Sequence, residues 1–116
     1  MTEILMVWST FPDEETAAKI VRILVDERLI ACAHLTSARS IYRWKDAIED
    51  QREVVAHMKT RKQDWAALLS RIHELHPYDV PEVVAVRMAA GAPNYLEWLD
   101  EVLAPAEPAE GGPGNP

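Results

Sequence analysis

The sequence predicts an α+β fold in which helices alternate with the strands of an antiparallel sheet. Two observations support this prediction. Residues 40–61 alternate with a period of two around a Lys45-Asp46 turn, which is typical of a β-hairpin and not of a helix. On either side of this hairpin, short apolar runs alternate with segments whose apolar residues recur at helical spacing. At 116 residues the chain is one domain, long enough to bury a core.

The first strand is predicted in the continuous apolar run at residues 4–8, which is typical of a strand buried on both faces. A helix is predicted to follow residues 10–13, because a proline there suits the first helical position and the acids at 13–15 favour the positive end of the helix dipole. Apolar residues then recur at i, i+3, i+4 and i+7, so the helix is expected to continue to about Arg28.

The second strand begins in the apolar run at residues 29–33 and leads into the hairpin. Because an unbroken strand of this length is unusual, we expect a bend or bulge near residues 36–39. Further along, Tyr42 and Trp44 are two residues apart and therefore share one face of the strand.

A second helix is predicted to start near Thr60 or Arg61 and to end by His76, because Pro77 disfavours helical geometry in the residue before it. Residues 83–86 form an apolar run that predicts a fourth strand.

Asn94 and Glu97 resemble a capping box that begins a short third helix. Residues 104–116 are rich in Pro, Gly, Ala and Glu, so we expect a disordered tail behind a folded domain at residues 1–103.

The resulting order, β-α-β-β-α-β plus a terminal helix, is that of a ferredoxin-like antiparallel sheet with an extra C-terminal helix. In that architecture the two main helices cover one face of the sheet. The first and fourth strands are apolar on both faces, and burial of apolar surface stabilises by roughly 25 cal/mol per Å². We therefore expect an obligate oligomer in which the copies cover sheet surface and strand edges.

Composition limits the classes of partner and the cellular compartment that we expect for this protein. A formal net charge of −7 without a cluster of Lys and Arg argues against nucleic-acid binding. A single cysteine, Cys32, suits a reducing compartment. The apolar run after Glu3 is only five residues long, too short for a signal peptide or a membrane span. We expect a cytoplasmic protein with no nucleic-acid or membrane partner.

The segments ACAH, SIYRWK, EVVAHMKTR, ELHPYDVPE and YLEWL, in this order, resemble the CutA1 family of divalent-cation tolerance proteins over residues 3–103. The resemblance implies ferredoxin-like subunits in a compact homotrimer, with strands paired between subunits. It also implies a non-enzymatic role in the response to metal ions, with binding of copper(II) or another divalent cation.

The chain departs from the family pattern in two places. Residues 36–38 lack the proline that relatives usually carry before the SIY motif, and the segment is one residue shorter. Ser9 stands where some members have a second cysteine, so copper chemistry that needs two thiols lacks one of them here.

The loop from His76 to Glu82 is the first candidate metal site. Pro77 and Pro81 stiffen it, and an imidazole with a carboxylate suits zinc or copper(II). The copper binding reported for the family is carried over onto this His and Glu, and Cys32 is the third predicted metal residue. The alternative is that His76 ends a helix and bonds to a nearby carbonyl group.

Cys32 and His34 form a second candidate with His57. If pairing around the turn were unbroken, residue numbers would sum to 91 across the hairpin, so that His34 faces His57 and Cys32 faces Lys59. The expected bulge would break this register. Cys32 also lies among apolar neighbours, which favours a core position over a nucleophile.

Two further functions remain open at this point. One is a signalling trimer similar to the PII-type nitrogen regulators, binding a small anion between subunits, and the other is a purely structural assembly. A cleft with converging Arg and Lys side chains would favour the signalling function, whereas a cleft with His, Cys and carboxylate side chains would favour metal binding. The basic candidates are Arg43, Lys45, Lys59 and Arg61.

Overall fold

The computed structural model describes residues 2–104 and confirms the predicted α+β fold. Its elements, in chain order, are β1 (Ile4–Phe11), α1 (Glu14–Asp26), β2 (Cys32–Trp44), β3 (Ala47–Arg61), α2 (Trp65–Leu75), β4 (Val83–Arg87) and α3 (Pro93–Leu103). A 3₁₀ turn at Lys62–Asp64 connects β3 to α2. The predicted disordered tail, residues 104–116, lies outside the described residues except for Ala104.

The strands form one antiparallel sheet in the order β2-β3-β1-β4. Helices α1 and α2 pack on one face, where alternate strand residues are buried with the apolar stripes of both helices. This core contains Leu5, Val7, Phe11, Ala17, Ile20, Leu24, Ile30, Val54, Ala56, Met58, Leu68 and Ile72. The apolar residues that alternate along the strands therefore pack against the apolar residues that recur at helical spacing in α1 and α2.

The hairpin register is unbroken from the Cys32–Lys59 pair to the Trp44–Ala47 pair. Lys45 and Asp46 both have positive φ, 49° and 68°, as a two-residue hairpin turn of the I′ class requires. The predicted bulge near residues 36–39 is wrong, because each of these residues has a direct partner on β3. That segment carries no glycine or proline, the residues that commonly mark a bulge or an interrupted strand.

The outer half of the hairpin projects beyond the rest of the sheet. The last residue of β1, Phe11, pairs with Val54, so residues 38–53 have no β1 partner and form a two-stranded arm. This arm gives the subunit its elongated dimensions of 57 × 29 × 21 Å.

Three predicted boundaries differ from the structure. Helix α1 ends at Asp26 instead of Arg28, which has a φ of 61°. Helix α2 begins at Trp65, because Thr60 and Arg61 continue β3 and pair with β1. The capping-box prediction is wrong, because Ala92 is the N-cap of α3 and Asn94 lies inside the helix.

Helix α3 covers one end of the second face of the sheet. Leu99 and Leu103 pack there with Ile4 and Ala31. Arg61 fixes the helix, since its guanidinium donates to Asp100 Oδ1 and to the Leu103 carbonyl oxygen, both at 3.0 Å.

The remainder of this second face, here called the open face, has no covering element among residues 2–104. Strand register places on it Met6, Trp8, His34, Thr36, Val55, His57, Val84 and Val86. Val84 and Val86 are 47% and 48% exposed. A single subunit thus leaves apolar sheet surface in water, as the two-faced strands predict.

Candidate functional site

A cleft of about 710 Å³ lies between the arm and the loop that precedes β4. It opens at the end of β1, on the same side of the sheet as the open face. Its lining residues are Thr10, Ser40, Ile41, Tyr42, Trp44, Lys45, Glu49, Gln51, Glu53, Tyr78, Asp79, Val80 and Glu82.

The arm contributes one aromatic wall of the cleft. Tyr42 and Trp44 share one face of β2, as predicted, and both line the cleft. Gln51 donates a hydrogen bond to the Tyr42 hydroxyl from the neighbouring strand. The Lys45 ammonium lies 5.8 Å from the centre of the Trp44 ring, within cation–π distance.

His76 holds the loop against the end of β1. Its Nε2 lies 2.8 Å from the Thr10 carbonyl oxygen, and its Nδ1 accepts a 3.1 Å hydrogen bond from the backbone N–H of Tyr78. Because a carbonyl can only accept and an N–H can only donate, these contacts define a neutral ring protonated at Nε2. The ring also stacks on Phe11, with centroids 4.6 Å apart. Burial lowers the pKa of His76, which favours this neutral form.

Tyr78 connects the loop to the arm. Its hydroxyl donates a 2.6 Å hydrogen bond to Glu53, which is only 6% exposed. Burial, reinforced by this contact with the Glu53 carboxylate, raises the pKa of Tyr78. Tyr78 therefore remains a protonated donor to a buried carboxyl group at the back of the cleft.

Carboxylates outnumber cationic groups in the cleft. Glu49, Glu53, Asp79 and Glu82 line it, whereas Lys45 is its one basic residue among those described. The cleft therefore carries a surplus of negative charge, which attracts cations and repels anions.

The basic residues predicted as an anion site do not converge. Arg43 lies one residue out of phase with Tyr42 and Trp44, on the other face of the arm. Lys59 pairs with Cys32 at the opposite end of the hairpin. The Arg61 guanidinium bonds to Asp64, Asp100 and the end of α3.

The predicted metal residues His76, Glu82 and Cys32 lie in different parts of the subunit. Glu82 is exposed at the cleft, and His76 is buried beneath the loop with both ring nitrogens engaged. Cys32 lies at the far end of β2. Between residues 2 and 104, no three His, Cys, Asp or Glu side chains are grouped closely enough to hold a metal ion.

Cys32 and Ser9 lie on opposite faces of the sheet. The Cys32 sulfur is 3.5 Å from the Tyr95 hydroxyl of α3, and this hydrogen bond, with burial, raises the pKa of Tyr95 to about 12. Ser9 is fully buried on the opposite face, beneath α1 and α2. A second thiol at position 9 would therefore not meet Cys32 within one subunit.

His34 and His57 are direct partners in the hairpin, as the unbroken register predicts. The His57 Nε2 lies 3.3 Å from the Thr36 hydroxyl, and its ring makes an edge contact with Trp8 at a centroid distance of 5.9 Å. The same register places both imidazoles on the open face.

Sequence reasoning missed the acidic wall of the cleft. Glu49, Glu53 and Asp79 belong to no local motif that marks them as site residues. The contact between Glu53 and Tyr78 spans 25 positions of sequence, so only the folded loop reveals it. Among residues 2–104, no helix combines the length and apolar character needed to cross a bilayer.

Comparison with known proteins gives consistent matches. The family model described as CutA1 divalent ion tolerance protein matches residues 5–102. The divalent-cation tolerance protein CutA of Pyrococcus horikoshii is 47% identical over 97 residues, covering 84% of this chain and 95% of that protein. The Thermus thermophilus protein of the same name is 40% identical, covering 87% of this chain and 97% of that protein.

Solved structures agree with these matches. The crystal structure of Pyrococcus horikoshii CutA1 superposes with a TM-score of 0.82 at 46% identity, covering 84% of this chain and 96% of that one. The structure described as the periplasmic divalent cation tolerance protein CutA of Archaeoglobus fulgidus has a TM-score of 0.84 at 27% identity, covering 90% of this chain and 100% of that one.

Proposed function

The chain belongs to the family of CutA1 divalent ion tolerance proteins, and on that premise we propose that it acts as a homotrimer in the response to divalent metal ions. In this proposal the protein is cytoplasmic and catalyses no reaction. It binds copper(II) or another divalent cation at the acidic cleft between the arm and the loop before β4.

The charge balance of the cleft is the observation that carries this proposal. Four carboxylates line the cleft against one ammonium group, but no three of them lie close enough to hold one ion, so the cation keeps most of its water and is held by the negative field and by one or two carboxylates. Carboxylate oxygens bind divalent cations in general, hard ions such as magnesium by preference and copper(II) as an N,O-binding ion as well, and a cation there relieves the repulsion among these acids. A phosphate or other small anion would meet the same field with the opposite sign, which favours the metal function over a signalling trimer of the PII type.

The three predicted metal residues have different roles in this proposal. Glu82 contacts the cation directly, because its exposed carboxylate lines the cleft. His76 acts as a positioning residue, because a copper contact at either ring nitrogen requires the loss of a hydrogen bond to Thr10 or Tyr78. Cys32 lies outside the cleft of its own subunit, so a thiolate contact to the bound ion requires the neighbouring subunit.

The arm supports assembly into an oligomer. An isolated two-stranded ribbon is marginally stable in water. This arm nevertheless carries apolar side chains on both faces, with Ile41 and Ile48 on one face, 62% and 68% exposed, and Tyr42 and Trp44 on the other. Neighbouring subunits that cover the arm and the open face would stabilise both by removing this surface from water.

Calorimetric titration of chelator-treated protein with copper(II), zinc(II) and magnesium tests the cleft. We expect saturable binding that the double variant Glu49→Gln/Glu82→Gln weakens about fivefold or more, since the loss of a partly exposed charge contact costs on the order of 1 kcal/mol. Glu97→Gln on the exposed side of α3 is the matched control and should bind as the wild type does.

Nucleotides are titrated under the same conditions to test the alternative. Binding of ATP or ADP without any response to metal ions would contradict the proposal and favour the signalling trimer. The absence of both metal and nucleotide binding would also contradict it and leave a purely structural assembly.

A further inference from the structure

The cleft between the arm and the loop before β4 is larger than a metal ion requires, and its aromatic wall has no role in metal binding. Its volume of about 710 Å³ lies within the range of about 300–1,000 Å³ that is usual for small organic ligands. The part of the chain between residues 2 and 104 groups no three metal-ligating side chains, so the four acids of the cleft are spread over its walls. Separated negative charges favour a ligand whose positive charges are also separated.

One end of the cleft combines the aromatic wall with a carboxylate. Tyr42 and Glu49 are direct partners in the hairpin, so the ring and the carboxylate lie side by side on one face. Trp44 is the next residue on that face, and the Lys45 ammonium lies 5.8 Å from the centre of its ring. The faces of aromatic rings attract ammonium groups, and a neighbouring carboxylate adds a direct charge pair. The contact with Lys45 therefore indicates the kind of group that this end of the cleft accepts.

The other end of the cleft holds a buried carboxylate with a free oxygen atom. Glu53 is 6% exposed and lines the cleft. Its Oε2 accepts the hydrogen bond from Tyr78, whereas its Oε1 accepts none from residues 2–104. Because a buried carboxylate oxygen without a donor is costly, this position favours a ligand group that is positively charged and donates hydrogen bonds. Glu49 and Glu53 are four residues apart on β3, a distance of roughly 13 Å along the strand.

Apolar side chains complete the lining of the cleft. Ile41 on the arm and Val80 on the loop both line it, and Val80 is 69% exposed. Methylene groups are stabilised when they leave water for contact with such surface, whereas a hydrated metal ion gains nothing from it.

We propose that the cleft binds linear polyamines, in which ammonium groups are separated by chains of methylene groups. One ammonium group lies against Tyr42, Trp44 and Glu49. Another donates a hydrogen bond to Glu53 Oε1, and the methylene chain between them contacts the apolar lining. This proposal goes beyond metal binding because it gives the aromatic wall a role. Polyamines and divalent metal ions share the acids of the cleft and should therefore compete for it.

The polyamine site is compatible with the proposed homotrimer. Both walls of the cleft come from one chain, because the arm belongs to β2 and β3 and the opposite wall is the loop before β4. A neighbouring subunit that covers the arm and the open face closes the mouth of the cleft without supplying either wall. The ligand is then enclosed between subunits, where ion pairs are stronger than in open water. We expect one ligand per chain.

Calorimetric titration of the assembled protein with spermidine tests the site. The titration is carried out at physiological ionic strength, where exposed charges more than about 8 Å apart are largely screened. We expect one spermidine per chain and weaker binding of the shorter putrescine, which does not reach from Glu49 to Glu53. Hexaamminecobalt(III) carries the same charge as spermidine without methylene groups, and it should also bind more weakly. Sedimentation of each protein before titration verifies that the assembly is intact.

Two substitutions separate the polyamine site from metal binding. Trp44→Leu should weaken spermidine binding about threefold or more, as expected for the loss of a cation–π contact, and should leave magnesium binding unchanged. The matched control is Trp98→Leu on α3, because Trp98 and Trp44 are similarly exposed, at 40% and 43%. Glu53→Gln keeps an acceptor for Tyr78 but removes the charge, and it should weaken spermidine binding about tenfold. If Trp44→Leu disturbs the assembly, Glu53→Gln decides alone.

Three results would overturn the polyamine site. They are an intact assembly that binds no spermidine, hexaamminecobalt(III) binding as tight as that of spermidine, and equal losses of spermidine affinity in Trp44→Leu and Trp98→Leu. Metal binding without spermidine binding would refute the polyamine site and leave the metal function standing. Spermidine binding that requires Trp44 and Glu53, in a protein that does not respond to metal ions, would support the polyamine site and contradict the metal function.

Discussion

Replacement of His76 distinguishes a structural anchor from a metal ligand. His76→Ala removes two hydrogen bonds and a ring stack on Phe11. Each hydrogen bond contributes about 0.5–1.5 kcal/mol and an aromatic pair about 0.5–1.5 kcal/mol. We expect His76→Ala to lower the free energy of unfolding by about 2–4 kcal/mol. His76→Phe keeps a stacking ring and should lose only the hydrogen-bond share, about 1–3 kcal/mol.

The same residue predicts a pH dependence. Burial lowers the pKa of His76 in the folded chain below its ordinary value of 6.5, so the unfolded chain takes up the proton more readily. The stability that neutral His76 provides is fully present above pH 6.5. It is lost as the pH falls through the lowered pKa, with a slope of at most about 1.4 kcal/mol per pH unit.

Urea unfolding at fixed subunit concentration, repeated between pH 5 and pH 8, measures both effects. The difference in the free energy of unfolding between wild type and His76→Phe should shrink as the pH falls below 6.5. Glu97→Gln, on the exposed side of α3, serves as the control. A His76→Ala variant with unchanged stability but lost metal binding would refute the anchor role. If instead the free energy of unfolding of wild type exceeds that of His76→Phe by more at low pH than at pH 8, the sign of the pKa shift is refuted.

Tyr78→Phe, compared with Tyr95→Phe, tests the wall of the cleft, and Ser9→Ala tests the core. Tyr78→Phe leaves the buried Glu53 carboxylate without its donor and should cost about 1.5–3 kcal/mol in urea unfolding. Tyr95→Phe removes only a 3.5 Å contact to sulfur and should cost under about 0.5 kcal/mol, so equal losses would contradict this assignment. Ser9 Oγ is buried without a hydrogen-bond partner among residues 2–104. Ser9→Ala should therefore raise the free energy of unfolding by about 1 kcal/mol, which a higher thermal midpoint would report. A lower midpoint would indicate a partner for this hydroxyl.

The sequence predicts element order well because each element carries its own periodic pattern. The apolar run at residues 4–8 and the helical spacing of α1 and α2 agree with local propensity and with burial. Register follows from the two-residue turn, because Lys45 and Asp46 fix the pairing of every residue behind them.

The wrong predictions arose where tertiary contacts override local signals. Strand length alone suggested a bulge, yet β3 supplies a partner for every residue of β2. Thr60 and Arg61 resembled a helix start, but pairing with β1 keeps them in β3. Asn94 resembled a cap, but Pro93 begins the helix one residue earlier.

The candidate site was predicted only in part, because it is assembled from distant segments. The loop from His76 to Glu82 was identified from its two prolines, whereas the spacing of Tyr42 and Trp44 predicted a shared strand face but did not assign them to a site. The hydrogen bond of His76 to the Thr10 carbonyl matches the structural alternative for that residue. The contact between Tyr78 and Glu53 depends on how the loop passes the end of β1, which no local pattern encodes.

The mass of the assembly at micromolar concentration tests the central claim most directly. Association is expected because the exposed valines of β4 and the projecting arm otherwise remain in water, and for the proposed homotrimer sedimentation equilibrium should give three times the chain mass of 13.1 kDa, about 39 kDa. A folded species of 13.1 kDa with a cooperative unfolding transition would contradict the account.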